Sequence, residues 1–94
     1  MEIEKNELFS IPDEVMFQNV NDEAVLLDLA SEHYFGLDEV GARIWTLLSE
    51  QKAAGQIVDE LLQEFEVERA DLEEGVHELL SQLLDAGLIQ RANQ

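Results

Sequence analysis

The chain predicts an α+β fold: a three-stranded antiparallel sheet in the N-terminal part, packed on three helices that follow it. Three observations predict it. From Val15 to Leu37, short apolar and aromatic runs are separated by turn residues, as strands require. From Val40 onward the apolar residues recur at helical spacing, beginning with Val40, Ile44, Leu47 and Leu48. Between the two regimes lies His33-Tyr34-Phe35-Gly36-Leu37-Asp38. Its aromatic residues suit a pleated, half-buried surface. Its aspartate is suited to accept the free N–H groups of a first helical turn.

The elements follow in order. Met1 to Ser10 is polar and expected to fray, apart from Leu8 and Phe9. Ile11-Pro12-Asp13-Glu14 reads as a turn, because Pro12 cannot sit inside a central strand. Val15 to Val20 is the first strand, and Asn21-Asp22 a tight turn into the second, Glu23 to Leu29. On the second strand Val25, Leu27 and Leu29 share one face and Ala24, Leu26 and Asp28 the other. Ala30-Ser31-Glu32 turns the chain into the third strand, His33 to Leu37. If that strand is terminal in the meander, one of its sides stays unpaired.

The first helix is expected over Glu39 to Gln51. Gly41 inside it costs about 1 kcal/mol relative to alanine, which implies close approach of another element. Lys52 to Gln56 connects to a second helix over Ala54 to Phe65, with Ile57, Leu61, Leu62 and Phe65 as its apolar stripe. No Ser, Thr, Asp or Asn marks where this helix starts. The third helix is expected over Arg69 to Ala86 and stops at Gly87, a residue free to adopt the left-handed conformation of a helix end. Leu88 then folds back on Leu83, and Leu88-Ile89 closes the fold. The expected core spans about residues 15–89 of one domain. At about 100° per residue, Leu72, Val76, Leu79, Leu80, Leu83 and Leu84 spread the apolar face of the third helix over roughly 140°, where about 100° suffices for one-sided packing. The excess, mainly Leu80 and Leu84, either packs on a second element or awaits a partner.

Composition narrows the function. The net charge of −17 repels nucleic-acid phosphates and anionic lipid and attracts basic partners. There is no cysteine, so disulfides, thiol catalysis and cysteine zinc sites are excluded. No apolar run approaches the roughly 20 residues of a membrane helix. The N-terminus has no signal-peptide core, so a cytoplasmic protein is expected. His33 and His77 form no metal-binding spacing, and the acidic pairs Asp38-Glu39, Asp59-Glu60 and Glu73-Glu74 lie on helix surfaces. No glycine-rich phosphate loop is present. The expectation is no enzyme and no cofactor. The order of second helix, turn, third helix and extended tail resembles a winged helix-turn-helix. Its third helix carries Asp71, Glu73, Glu74, Glu78 and Asp85, which a DNA groove would expel.

The run VLLDLASEHYFGLDEVGARIWTLL, followed by IVDELLQEFEVE and VHELLSQLLDAGLI, resembles PqqD-like proteins, the peptide-recognition domains of pathways that modify ribosomally made peptides. Tyr34, Leu37, Gly41, Ile44, Trp45, Leu83 and Gly87-Leu88-Ile89 carry the resemblance. It implies a domain that takes the leader segment of a precursor peptide as an added strand on the edge of the third strand, against the third helix. On this chain the implied site is Glu32, His33, Tyr34, Phe35 and Gly36 on the strand, with Val76, Leu79, Leu80 and Leu83 on the helix. Whether Tyr34 or Phe35 faces the groove stays open. The branch serving a radical enzyme in quinone-cofactor synthesis tends to carry a basic first hairpin, and Phe17 to Leu29 holds no arginine or lysine. Short acidic members occur with lasso peptides. Their partners are a leader peptidase resembling a transglutaminase and a macrolactam synthetase resembling asparagine synthetase. Lasso leaders are often basic, with a Tyr-x-x-Pro element. The alternatives are the radical-enzyme partner and a winged-helix module acting through protein contacts.

Overall fold

Two antiparallel sheets and three helices surround one continuous apolar core in a computed structural model that describes residues 3–20 and 23–92. In chain order the elements are β1 (Phe9–Ser10), β2 (Val15–Val20), β3 (Glu23–Asp28), β4 (His33–Leu37), α1 (Glu39–Ser49), α2 (Ala54–Glu64), α3 (Arg69–Asp85) and β5 (Gln90–Arg91). The expected three strands are β2, β3 and β4, paired antiparallel in that order. The expected Asn21-Asp22 turn lies outside the described residues.

Strand alternation sorts the sheet into two faces. Leu26 pairs with Phe35, and Ala24 with Leu37. These residues face the helices; Leu26, Ala24 and Leu37 are buried and Phe35 is packed on the core. Their neighbours Val25, Leu27 and Tyr34 face away, as a period of two demands. The choice left open between Tyr34 and Phe35 is therefore decided. Phe35 turns inward, and Tyr34 stands 77% exposed on the far face.

The helix boundaries have local causes at three of their ends. Asp38 starts α1, its carboxylate accepting the Gly41 N–H at 2.7 Å. The close approach inferred at Gly41 is local: a Cβ there would stand 3.1 Å from Asp38 Oδ1 and 3.2 Å from Leu37 Cδ2. α3 ends at Gly87 with φ +76°. The Leu88 N–H donates to the Leu83 carbonyl and the Gly87 N–H to that of Leu84, which closes the helix as the sequence led us to expect. α1 ends in the same way on Gln51, φ +67°, without the help of a glycine.

The N-terminal segment departs from expectation. From Lys5 onward it is tied down by backbone bonds to α2, Phe9 is 2% exposed in the core, and β1 pairs with β5. The core therefore begins at Phe9 rather than at Val15. The same segment supplies the missing start signal of α2. The Ala54 N–H donates to the Glu7 carbonyl at 3.1 Å, and the Gly55 N–H to the Lys5 carbonyl at 2.8 Å. Gln56 accepts the Ala53 N–H at 2.8 Å. Backbone carbonyls thus satisfy helix donors that a side chain normally would. Gly55 permits the approach, since a Cβ there would lie 3.1 Å from the Lys5 carbonyl oxygen. An ion pair of Glu7 with Arg91 ties this segment to β5. Among the described residues, no helix is long and apolar enough to cross a membrane.

Candidate functional site

The outer edge of β4 is open. β4 stands last in its sheet, and among the described residues no strand pairs beyond it. An open edge is a row of unpaired N–H and C=O groups, which proteins normally blunt or use. Beside it runs a groove of about 550 Å³. Phe35, Gly36, Leu37 and Asp38 form one wall, and Val40, Gly41 and Ile44 of α1 lie at its base. The other wall is α3, with Asp71, Leu72, Gly75, Val76, Leu79 and Gln82, and Val67 at the rim.

The groove uses a different flank of α3 from the one its apolar excess suggests. Val76 and Leu79 line it as expected, but Leu80 and Leu83 do not. Both are 0% exposed and belong to the core. Leu80 looks toward the start of α2 and the N-terminal segment, where it borders a second hollow shared with Ile3, Ala54 and Val58. That segment and α2 are the second element on which the excess packs. Leu84 is packed against the core as well. The groove-facing flank instead carries Asp71, Gly75 and Gln82, residues too small or polar to register in an apolar stripe. Gly75 is exposed within the helix, and a Cβ there would meet nothing within 4 Å. A glycine here costs helix stability and keeps the groove wide. Val67, read from sequence only as a spacer, is 49% exposed at the rim.

On the strand side, Phe35 and Gly36 line the groove. Tyr34 points to the opposite face of the sheet, His33 is exposed at the start of β4, and Glu32 sits in the preceding turn with φ +61°. The Glu32 N–H is taken by the Asp28 carbonyl at 2.8 Å and the His33 N–H by the Ser31 hydroxyl, so both serve the turn that leads into β4.

Charge around the helices is arranged as braces. Arg43 of α1 grips Glu64 of α2 with two hydrogen bonds, 2.8 and 2.6 Å. The bond raises the guanidinium's pKa and holds the Glu64 carboxyl below the usual carboxylate range. Arg69 bridges Asp59 of α2 and Glu73 of α3. Glu7 is likewise held low by its hydrogen bond from Arg91. On the outside of α3, Glu73, Glu74, Glu78 and Asp85 are exposed, a surface that opposes phosphate. The groove walls themselves hold no Ser, Thr, His or Lys.

Two solved structures share the fold across nearly the whole chain. One, described as TbiB1 in complex with the TbiA(beta) leader peptide, is 39% identical, covers 89% of this chain and 95% of its own, and has a TM-score of 0.77. The other, a lasso peptide synthetase B1 complexed with the leader peptide, is 28% identical, covers 86% and 95%, and has a TM-score of 0.79. No curated protein matches. The family model described as coenzyme PQQ synthesis protein D (PqqD) matches residues 23–89, from the second sheet strand to the end of the α3 cap, and the chain belongs to that family.

Proposed function

We propose that this chain is a non-catalytic adaptor. It takes the leader segment of a ribosomally made precursor peptide as an extra strand on the outer edge of β4, with leader side chains set against α3. It then presents the peptide to a modifying enzyme or leader peptidase, in lasso-peptide biosynthesis. The observation that carries this reading is the open β4 edge lying directly beside the groove. Main-chain groups supply affinity there, and Phe35, Val76 and Leu79 supply specificity, the two halves of strand addition. Two relatives of matching fold, solved with leader peptides, support it. So does the net charge of −17, which steers a basic leader toward the chain. The partners on this reading are the precursor peptide, a leader peptidase resembling a transglutaminase and a macrolactam synthetase.

The test is a fluorescence-anisotropy titration of the labelled leader, repeated with leaders N-methylated at one amide at a time. A strand added to β4 loses about fivefold in affinity wherever a methyl group replaces a bonded N–H, at alternate residues of the leader. Absence of binding, or a scan without that alternation, rejects strand addition.

A further inference from the structure

The face of the sheet opposite the helices carries an apolar patch that the groove does not use. Cross-strand pairing sets Met16, Leu27 and Tyr34 side by side in one row. Val25 and Leu29 flank that row on β3 and just beyond it. Met16 is 41% exposed and Leu29 52%, and Tyr34 is the most open of the exposed large hydrophobic residues. Apolar side chains gathered in this way on an otherwise acidic molecule mark a contact surface. The same alternation puts the exposed Glu23 on this face. From Asn6 to Ala42 the sequence has no lysine or arginine against nine acidic residues.

That charge selects the occupant. A second copy of this chain would press one acidic rim against another, whereas a surface with lysine or arginine around an apolar centre would be attracted and then desolvated. We propose that the outer sheet face, centred on Met16, Leu27 and Tyr34, docks the enzyme that cuts the bound leader, through a basic-rimmed apolar patch on that enzyme. This rests on the leader-binding reading and extends it. β4 would then be shared: its edge holds the peptide while its outward side chain, Tyr34, holds the enzyme that acts on it.

The experiment uses the full chain and its Met16→Thr/Leu29→Ser variant, both substitutions lying at exposed positions away from the groove. Affinity for the purified leader peptidase is measured by biolayer interferometry at low and high salt, with leader anisotropy and sedimentation velocity run beside it. The expected result is about a tenfold loss of peptidase affinity in the variant and leader affinity unchanged. Wild-type docking should also weaken as salt rises. Peptidase affinity unchanged in the variant, or no docking by the wild-type chain, overturns the proposal while leaving leader binding intact. A self-association abolished by the variant also overturns it and gives the face to a second copy. Loss of leader binding by the wild-type chain is the separate failure of the adaptor reading.

Discussion

Leu79 and Leu80 are neighbours on α3 with opposite surroundings. Leu80 is fully buried between α3, the start of α2 and the N-terminal segment. Leu79 is half-buried at the wall of an open groove. One step of about 100° around the helix separates a residue that holds the fold from one placed to meet a ligand. The difference teaches that a wide apolar face need not be open where it is most apolar. Here the richly apolar flank is closed by other elements, and the flank that thins into Gly75, Asp71 and Gln82 stays open.

The largest expected effect breaks the comparison on its closed side. Leu80→Asp buries an unpaired carboxylate in the core and should destabilise the domain by about 4 kcal/mol or more, read as a lost or strongly lowered thermal transition. Leu79→Asp is the matched change on the open side. It should leave the circular dichroism spectrum intact and weaken leader binding by about 1–2 kcal/mol in an anisotropy titration. If the two variants behave alike, the flanks are not distinct.

Smaller changes sharpen the contrast. Glu7→Gln weakens the strap that closes the Leu80 side and should cost about 1 kcal/mol in a urea titration at neutral pH. The native carboxyl titrates below its ordinary value of roughly 4.3. Its stabilisation is therefore complete above that value and is lost as pH falls through the lowered native one, so wild type and variant should converge in acid. Gly75→Ala acts on the open side in the opposite sense. It should raise helix stability by about 0.5–1 kcal/mol while narrowing the groove, so that the melting temperature rises as leader affinity falls.

The sequence made some features legible because their causes are local. Asp38 caps the helix beginning one residue later, Gly87 ends the helix before it, and alternation along Glu23 to Asp28 sorts the two faces of that strand. Three others depend on contacts distant in sequence. The start of α2 has no side-chain signal because its partners are the carbonyls of Lys5 and Glu7. Phe9 sits beside Leu8 in a mostly polar stretch, and nothing in that stretch announces its pairing with Arg91. Of the helix residues expected beside the edge, Val76 and Leu79 line the groove and Leu80 and Leu83 do not, for a related reason. Periodicity finds what is apolar, and in Leu80 and Leu83 that is the core, whereas the groove flank is defined by what it lacks. Of the strand residues Glu32 to Gly36 expected at the site, only Phe35 and Gly36 line the groove.

The carbonyl cap on α2 has a practical consequence for anyone handling this molecule. A shortened version beginning at Val15 would keep every strand of the larger sheet and all three helices, and would look intact on paper. It would nonetheless expose the first amides of α2 to solvent, orphan β5 and uncover the pit that Phe9 fills. Fusions and trimmed variants should therefore retain Lys5 to Ser10, whose absence would be felt at the far side of the molecule.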